Sequence, residues 1–184
     1  TATAIEIDAR LRGQRSGIGA GAFESGGFLV DAGKGAGDAP PPIVSRLEFP
    51  ADWRIVLVQD GNNSGLHGES ESAAFQALPP CSESVSGHLC RLMLIQALPA
   101  LAERDLESFG SALGELQRIT GDYFAPAQGG RFSSPAVSAA LAWFEEQGIA
   151  GVGQSSWGPT GFAITQGADK AAALARAAQS YFGD

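Results

Sequence analysis

The part of the sequence that most constrains the fold is a glycine-rich stretch near the amino terminus, Arg15-Ser-Gly-Ile-Gly-Ala-Gly-Ala-Phe-Glu-Ser-Gly-Gly27. Gly17, Gly19 and Gly21 alternate along it, and glycine lets backbone amides approach an anion closely. The apolar run over residues 27–31 would fix such a loop on a sheet. In a chain with 25 glycines, a tight packing turn is the commoner origin of this pattern. The glycines alone therefore leave both interpretations open.

Two arginines lie beside the glycines. Arg12 and Arg15 place two guanidinium groups next to the stretch, and guanidinium groups bind phosphate or carboxylate through paired hydrogen bonds. This neighbourhood favours a binding role over a simple packing turn. Arg15 is the stronger candidate ligand and Arg12 the second, with a surface or helix-capping role as the alternative for both.

Composition limits the class of protein. The 184 residues are 44% hydrophobic and 17% charged, which is ordinary globular usage. A net charge of -8 gives no broad electrostatic footprint for nucleic acid or for an anionic membrane surface. We expect no apolar run of the length that a membrane span requires. Cys81 and Cys90 show no metal-type pairing, and the first residues lack a secretory signal, so a cytoplasmic location with free thiols is expected.

The pattern of apolar residues predicts an α+β protein. Alternating or β-branched runs predict strands, and helical spacing predicts helices. The predicted strands are 27–31, 43–49, 53–60, 149–156 and 161–165; residues 53–60 are the clearest and resemble a strand buried on both faces. The predicted helices are 84–102, 106–121, 134–148 and 168–181, with Gly121 ending the second. Residues 1–12 suit a strand or a helix, and residues 33–42 predict a loop. This order lacks a regular alternation of parallel units.

The longest recognisable segment resembles a known enzyme family. Gly13-Gln-Arg-Ser-Gly-Ile-Gly-Ala-Gly-Ala-Phe-Glu-Ser-Gly-Gly-Phe-Leu-Val-Asp31 is similar to the corresponding stretch of the beta-ribofuranosylaminobenzene 5'-phosphate synthases, GHMP-superfamily enzymes of methanopterin biosynthesis. Later segments resemble the same family: Phe49-Pro-Ala-Asp-Trp53, residues 68–75, Leu98-Pro-Ala-Leu-Ala-Glu103, Gln128-Gly-Gly-Arg131 and Gln154-Ser-Ser-Trp-Gly-Pro-Thr-Gly-Phe162.

The resemblance implies a GHMP-kinase-like fold. Residues 1–48 would be the last part of the GHMP N-terminal domain, with a helix over residues 1–12 and a glycine-rich loop, and residues 49–184 the C-terminal α/β sandwich domain. The superfamily carries a phosphate-binding loop upstream of this stretch, and only a dozen residues precede Gly13. We therefore expect a fragment of a longer enzyme that is stable only with its missing half or as a homodimer.

The resemblance also implies a reaction. Mevalonate-type kinases have Ser-Gly-Ile-Asp, where the aspartate is the catalytic base; here Ser16, Gly17 and Ile18 precede Gly19. The family reaction joins 5-phosphoribosyl 1-pyrophosphate to a para-substituted benzoate with loss of carbon dioxide and pyrophosphate, and Mg²⁺ is the expected partner of the pyrophosphate. Two alternatives stay open: a small-molecule GHMP kinase with another base, and a non-catalytic subunit that needs a partner.

Site residues follow from the pattern and the resemblance together. Arg15 and Glu69 are the predicted catalytic residues, although Glu69 and Glu71 also suit the start of a helix. Asp31 is a candidate metal ligand or a turn residue. Trp157 would stack on an aromatic substrate or cover the sheet. The predicted substrate and phosphate ligands are Arg12, Gly17, Gly19, Gly21, Ser155, Ser156 and Thr160, the last three flanking a turn that a hairpin would also explain.

Overall fold

The computed structural model describes residues 17–33, 41–66 and 69–183, and the chain divides into two compact units between Phe49 and Pro50. The helix expected over residues 1–12 lies outside the described residues, as do Arg12 and Arg15.

The first unit contains a helix and a strand pair. Helix α1 is Gly17–Ser25, β1 is Phe28–Asp31 and β2 is Ile43–Leu47. Both strands were predicted, over residues 27–31 and 43–49. They pair antiparallel, with Phe28 opposite Leu47. The guanidinium of Arg46 donates two hydrogen bonds, of 3.1 and 2.7 Å, to the Ser25 carbonyl at the end of α1.

Residues 17–25 of the glycine-rich stretch form a helix rather than the predicted loop. A Cβ at Gly21 would lie 3.2 Å from Leu29 and 3.3 Å from Ile43, so this glycine faces the strand pair at close range. Packing of the helix on the strands offsets the poor helix propensity of glycine. Within a helix the amide of residue 21 donates to the carbonyl of residue 17. The loop interpretation was therefore wrong, and Gly21 is a packing residue.

The second unit is a three-stranded antiparallel sheet with helices on both faces. Its strands are β3 (Trp53–Gln59), β4 (Val152–Gln154) and β5 (Thr160–Gln166), in the order β3-β5-β4. Its helical segments, in chain order, are α2 (Glu69–Ala77), α3 (Glu83–Arg91), a π-helical segment (Leu92–Ala97), α4 (Leu98–Glu103), α5 (Leu106–Gln128), α6 (Pro135–Glu146) and α7 (Ala168–Phe182). Every helix and strand predicted in this unit is present.

Three details in this unit differ from the predictions. Helix α5 continues seven residues beyond Gly121, its predicted end, because that glycine is buried against the backbone of Arg131. Strand β3 is not buried throughout, since Ile55 and Leu57 are 52% and 65% exposed. The third difference is that one segment reaches the length and apolar character of a membrane span, which was not expected. By length and composition alone, Glu83–Glu103 is long and apolar enough to cross a membrane, with a mean hydropathy of 1.3.

The two faces of the sheet pack against different helices. On one face, Val56 and Ala163 join Leu141 and Phe144 of α6 and Leu174 of α7 in the core. Helix α5 lies against β4 and the residues that precede it. A Cβ at Gly114 of α5 would overlap the carbonyl oxygen of Ala150.

Ser134 ties α6 to the end of β3. The fully buried Ser134 caps α6, accepting a hydrogen bond from the Val137 amide at 3.2 Å. Its hydroxyl donates to Asp60 Oδ2 at 2.7 Å. That hydrogen bond, together with one from the Asn62 amide, lowers the pKa of Asp60.

We predict opposite effects for two helical glycine substitutions. Gly114→Ala places a methyl group against backbone that cannot rotate away, and such overpacking costs about 1–3 kcal/mol. Gly87→Ala in α3 is the matched control, because nothing lies within 4 Å of a Cβ there; it should stabilise by about 0.5–1 kcal/mol. Urea unfolding measures both, and equal free energies for the two variants would contradict the close packing of α5.

We predict that Ser134→Ala lowers stability and also weakens its acid dependence. Loss of the cap costs about 1 kcal/mol. The pKa of Asp60 is lower in the folded state than its ordinary value of 3.8. Ionised Asp60 therefore stabilises the fold at pH values above 3.8, and this stabilisation disappears as the pH falls through the folded pKa. Removing the Ser134 hydroxyl makes this stabilisation by Asp60 smaller.

The control for this prediction is Ser82→Ala, which removes the side-chain cap of α3 without touching an aspartate. From neutral pH to pH 3, the difference in unfolding free energy between wild type and Ser134→Ala should become smaller, with the loss of the cap remaining. The difference between wild type and Ser82→Ala should stay constant. A constant difference for Ser134→Ala would refute the link to Asp60.

Candidate functional site

The second unit contains a cavity of about 170 Å³ that combines aromatic rings with amide groups. We call it the aromatic cavity. Helix α2, helix α5, the segment after α5 and the β4–β5 turn all contribute to its wall. The lining residues are Glu71, Phe75, Gln117, Thr120, Gly121, Phe124, Gln128, Arg131, Phe132, Gln154, Ser156 and Trp157.

Three aromatic side chains from distant parts of the sequence meet in its wall. The ring centroids of Phe124 and Trp157 are 4.7 Å apart, those of Phe75 and Trp157 5.3 Å, and those of Phe75 and Phe124 5.7 Å. Edge-to-face and tilted contacts at these distances are favourable between aromatic rings. The cluster joins α2, α5 and the β4–β5 turn.

Trp157 is held in this wall by a carboxylate. Its indole Nε1 donates to Glu71 Oε1 at 3.1 Å, and the side chain is 95% buried. Of the two roles considered for Trp157 in the sequence, the structure shows a packed wall residue whose orientation a polar contact fixes. Glu71, rather than Glu69, is the carboxylate of α2 that lines the cavity.

Gln154 is the centre of a hydrogen-bond network beside the rings. Its Oε1 accepts from the amide and the hydroxyl of Ser133 at 2.7 and 3.0 Å. Its Nε2 donates to the Ser156 carbonyl at 3.0 Å and to Gln128 Oε1 at 3.2 Å. Its backbone amide donates to Gln117 Oε1 at 3.0 Å. The side chain is 94% buried, and this full set of partners offsets the cost of burying an amide.

The positive charge at the cavity is already paired. Arg131 donates from Nε and from one terminal nitrogen to the two carboxylate oxygens of Asp122, at 2.7 and 3.0 Å. These hydrogen bonds raise the pKa of Arg131. Two of the five guanidinium N–H groups are thus engaged with one carboxylate.

The predicted turn residues occupy different places around the hairpin. The Ser155 amide donates to the Thr160 carbonyl at 2.8 Å, and the Gly158 amide to the Ser155 carbonyl at 2.9 Å. Ser156 has a left-handed backbone, with φ 49°, and lines the cavity. Ser155 and Thr160 do not line it. The hairpin is confirmed; the binding role of its hydroxyl groups stays a prediction.

The remaining predicted site residues lie elsewhere. Glu69 is exposed at the first position of α2. Asp31 accepts a hydrogen bond from the Gly33 amide at 2.9 Å, which is the turn role considered for it. Gly17 and Gly19 lie in the first turn of α1. Among the described residues no three His, Cys, Asp or Glu side chains cluster as metal ligands, so the metal role of Asp31 stays a prediction.

Sequence reasoning missed most of the cavity. Gln117, Thr120 and Phe124 lie on α5, which spacing identified only as an amphipathic helix. Glu71 and Gln154 were not selected either. The resemblance itself contained a usable signal, because three of the matching segments, residues 68–75, 128–131 and 154–162, contribute lining residues.

Known proteins match most of the chain. Residues 97–184 match the family described as GHMP kinases C terminal. The beta-ribofuranosylphenol 5'-phosphate synthase of Methanothermobacter thermautotrophicus is 30% identical over 166 residues, covering 84% of this chain and 49% of that protein. The protein of the same name from Archaeoglobus fulgidus is 32% identical over 185 residues, covering 94% of this chain and 55% of that protein. The chain spans about half the length of these curated relatives.

A solved structure is also similar. Homoserine kinase from Cytophaga hutchinsonii matches with a TM-score of 0.49 and 16% identity, over 85% of this chain and 44% of that chain. The family match and the curated relatives confirm the resemblance and the α+β fold class predicted from the sequence. The chain is a homologue of the beta-ribofuranosylphenol 5'-phosphate synthases and carries, in residues 97–184, the C-terminal domain of the GHMP kinase superfamily.

Proposed function

We propose that the protein transfers a phosphoribosyl group from 5-phosphoribosyl 1-pyrophosphate to a para-substituted benzoate and releases carbon dioxide. The observation that carries this proposal is the identity of 30–32% to two synthases named for a ribosylated phenol phosphate, over 84–94% of this chain. Those names favour a hydroxyl as the para substituent, and an amino group is the alternative.

The proposed reaction balances without an oxidant or a reductant. The bond from ribose C1 to the pyrophosphate oxygen breaks, and pyrophosphate leaves with the electron pair. The ring carbon that bears the carboxylate supplies a pair to C1 and forms the new carbon–carbon bond. The bond from that ring carbon to the carboxyl carbon then breaks, its electrons restore the aromatic ring, and carbon dioxide leaves. No protein nucleophile is required.

The protein's contribution is electrostatic and geometric. A departing pyrophosphate and an oxocarbenium-like ribose are stabilised by fixed donors and charges, and the ring carbon must be held in line with C1. We assign stabilisation of the pyrophosphate to Arg15 and Arg12 with the first-turn amides of Gly17 and Gly19. Glu69 is proposed as a further catalytic residue, and the hydroxyls of Ser155, Ser156 and Thr160 are proposed to bind substrate.

Magnesium enters this proposal with the substrate. Mg²⁺ usually keeps several waters and binds through one or two carboxylates and substrate phosphates. Of the carboxylates in the described residues, Asp31 is the proposed ligand. Its Oδ1 accepts from Gly33, and the other carboxylate oxygen would take the metal. We assign no catalytic step to the ion.

The test is a product assay with 5-phosphoribosyl 1-pyrophosphate, Mg²⁺ and 4-hydroxybenzoate or 4-aminobenzoate. It is run with this chain alone and with this chain joined to the part of the Archaeoglobus fulgidus relative that it does not cover. Equal release of carbon dioxide and pyrophosphate by either protein supports the proposal. Failure of both proteins contradicts it, and ATP consumption with a small alcohol would favour the kinase alternative.

We predict that Arg15→Ala in the active protein lowers turnover about a hundredfold or more, since donors at developing charge are worth this much. Arg176→Ala, on the exposed face of α7, is the control and should leave turnover unchanged. Carbon dioxide release from the carboxyl-labelled benzoate measures both. An Arg15→Ala variant with wild-type release would remove Arg15 from the site.

A further inference from the structure

The size of the aromatic cavity matches a ligand part of about one ring. A cavity of about 150 Å³ lined by apolar side chains holds benzene, and the aromatic cavity measures about 170 Å³. Phe75, Phe124 and Trp157 offer ring faces and edges, which suits a flat aromatic ligand.

The charges of the cavity disfavour phosphate. Arg131 is held by both oxygens of Asp122, and Glu71 adds a negative charge to the wall. An incoming phosphate would face the Glu71 carboxylate and would have to share the Arg131 guanidinium with Asp122. The cavity therefore suits a ligand whose inserted part is largely uncharged.

Two polar groups of the wall keep unused hydrogen-bonding capacity. Glu71 Oε1 accepts from Trp157, and Gln117 Oε1 accepts from the Gln154 amide. Within the described ranges, neither Glu71 Oε2 nor Gln117 Nε2 forms a hydrogen bond. The first is a charged acceptor and the second a donor. A ring with a donor substituent would satisfy the carboxylate, and an acceptor group would satisfy the amide.

We propose that the aromatic cavity binds the ring of the aryl acceptor and that Glu71 accepts a hydrogen bond from its para-hydroxyl or para-amino group. Phe75, Phe124 and Trp157 hold the ring, and the Gln154 network keeps Gln117 and Ser156 in place beside it. The substrate class rests on the proposed function, whereas the binding site rests on the cavity. In this proposal Glu71 and Phe75 determine which ligand binds and take no part in making or breaking bonds.

Binding to the 184-residue chain tests this assignment without any turnover. Calorimetry compares 4-hydroxybenzoate with benzoate, which lacks the para donor, on wild type and on Glu71→Gln. Glutamine keeps an acceptor for Trp157 but loses the charge. A hydrogen bond to a charged group is worth about 1.5–3 kcal/mol, so Glu71→Gln should weaken 4-hydroxybenzoate about tenfold and leave benzoate unchanged.

A second pair of variants tests the ring wall. Phe75 is 52% exposed, so Phe75→Ala should fold, and it should weaken both ligands about tenfold. Phe23→Ala is the matched control, because Phe23 is 80% exposed on α1 of the other unit; it should change neither affinity. Circular dichroism checks that each variant is folded.

The outcomes separate the two proposals. If the variants lose affinity as predicted but the protein releases no carbon dioxide, the cavity assignment is supported and the proposed reaction is contradicted. If the protein turns over but neither Glu71→Gln nor Phe75→Ala changes the ligand affinities, only the cavity assignment is contradicted. No binding of 4-hydroxybenzoate at millimolar concentration, or its displacement by inorganic pyrophosphate, also overturns the assignment.

Discussion

The close approach of α5 to β4 is the constraint on which the second unit depends. Gly110 and Gly114 let the helix backbone reach the residues that lead into β4, at positions where a side chain would collide with Ala150 and Gly151. At this separation Gln117 reaches the Gln154 amide. About two turns further along the same helix face, Phe124 meets Trp157. A helix held farther out would form neither contact.

The site is therefore a consequence of packing. The same helix that covers the sheet supplies an amide, a hydroxyl and a ring to one cavity. The buried Gln154 side chain needs partners on every polar atom, and it finds them on α5, on the segment after α5 and in the β4–β5 turn. Buried polar networks of this kind fix one arrangement when every member is satisfied. Preorganisation of the wall follows from that requirement, which suits a reaction that depends on holding a ring in line.

The sequence predicts local structure well where periodicity is strong. Ser134 and Pro135 mark the start of α6, and the run from Trp53 marks β3. Prediction from the sequence fails where contacts with a distant segment determine the conformation. The glycines of α1 are helical because Leu29 and Ile43 pack against them, and the exposure of Ile55 and Leu57 depends on which helices cover β3. The cavity is assembled from residues 71 to 157, so spacing within any one segment could not reveal it. The family resemblance indicated only the segments that contain some of its residues.

The central proposal is that a flat aromatic ligand lies against Phe75, Phe124 and Trp157. A crystal structure of the chain with 4-hydroxybenzoate tests this most directly. We expect the ring within van der Waals contact of those three side chains, with its hydroxyl within hydrogen-bonding distance of Glu71. A ring bound outside the cavity, or one whose carboxylate has displaced Asp122 from Arg131, would contradict it.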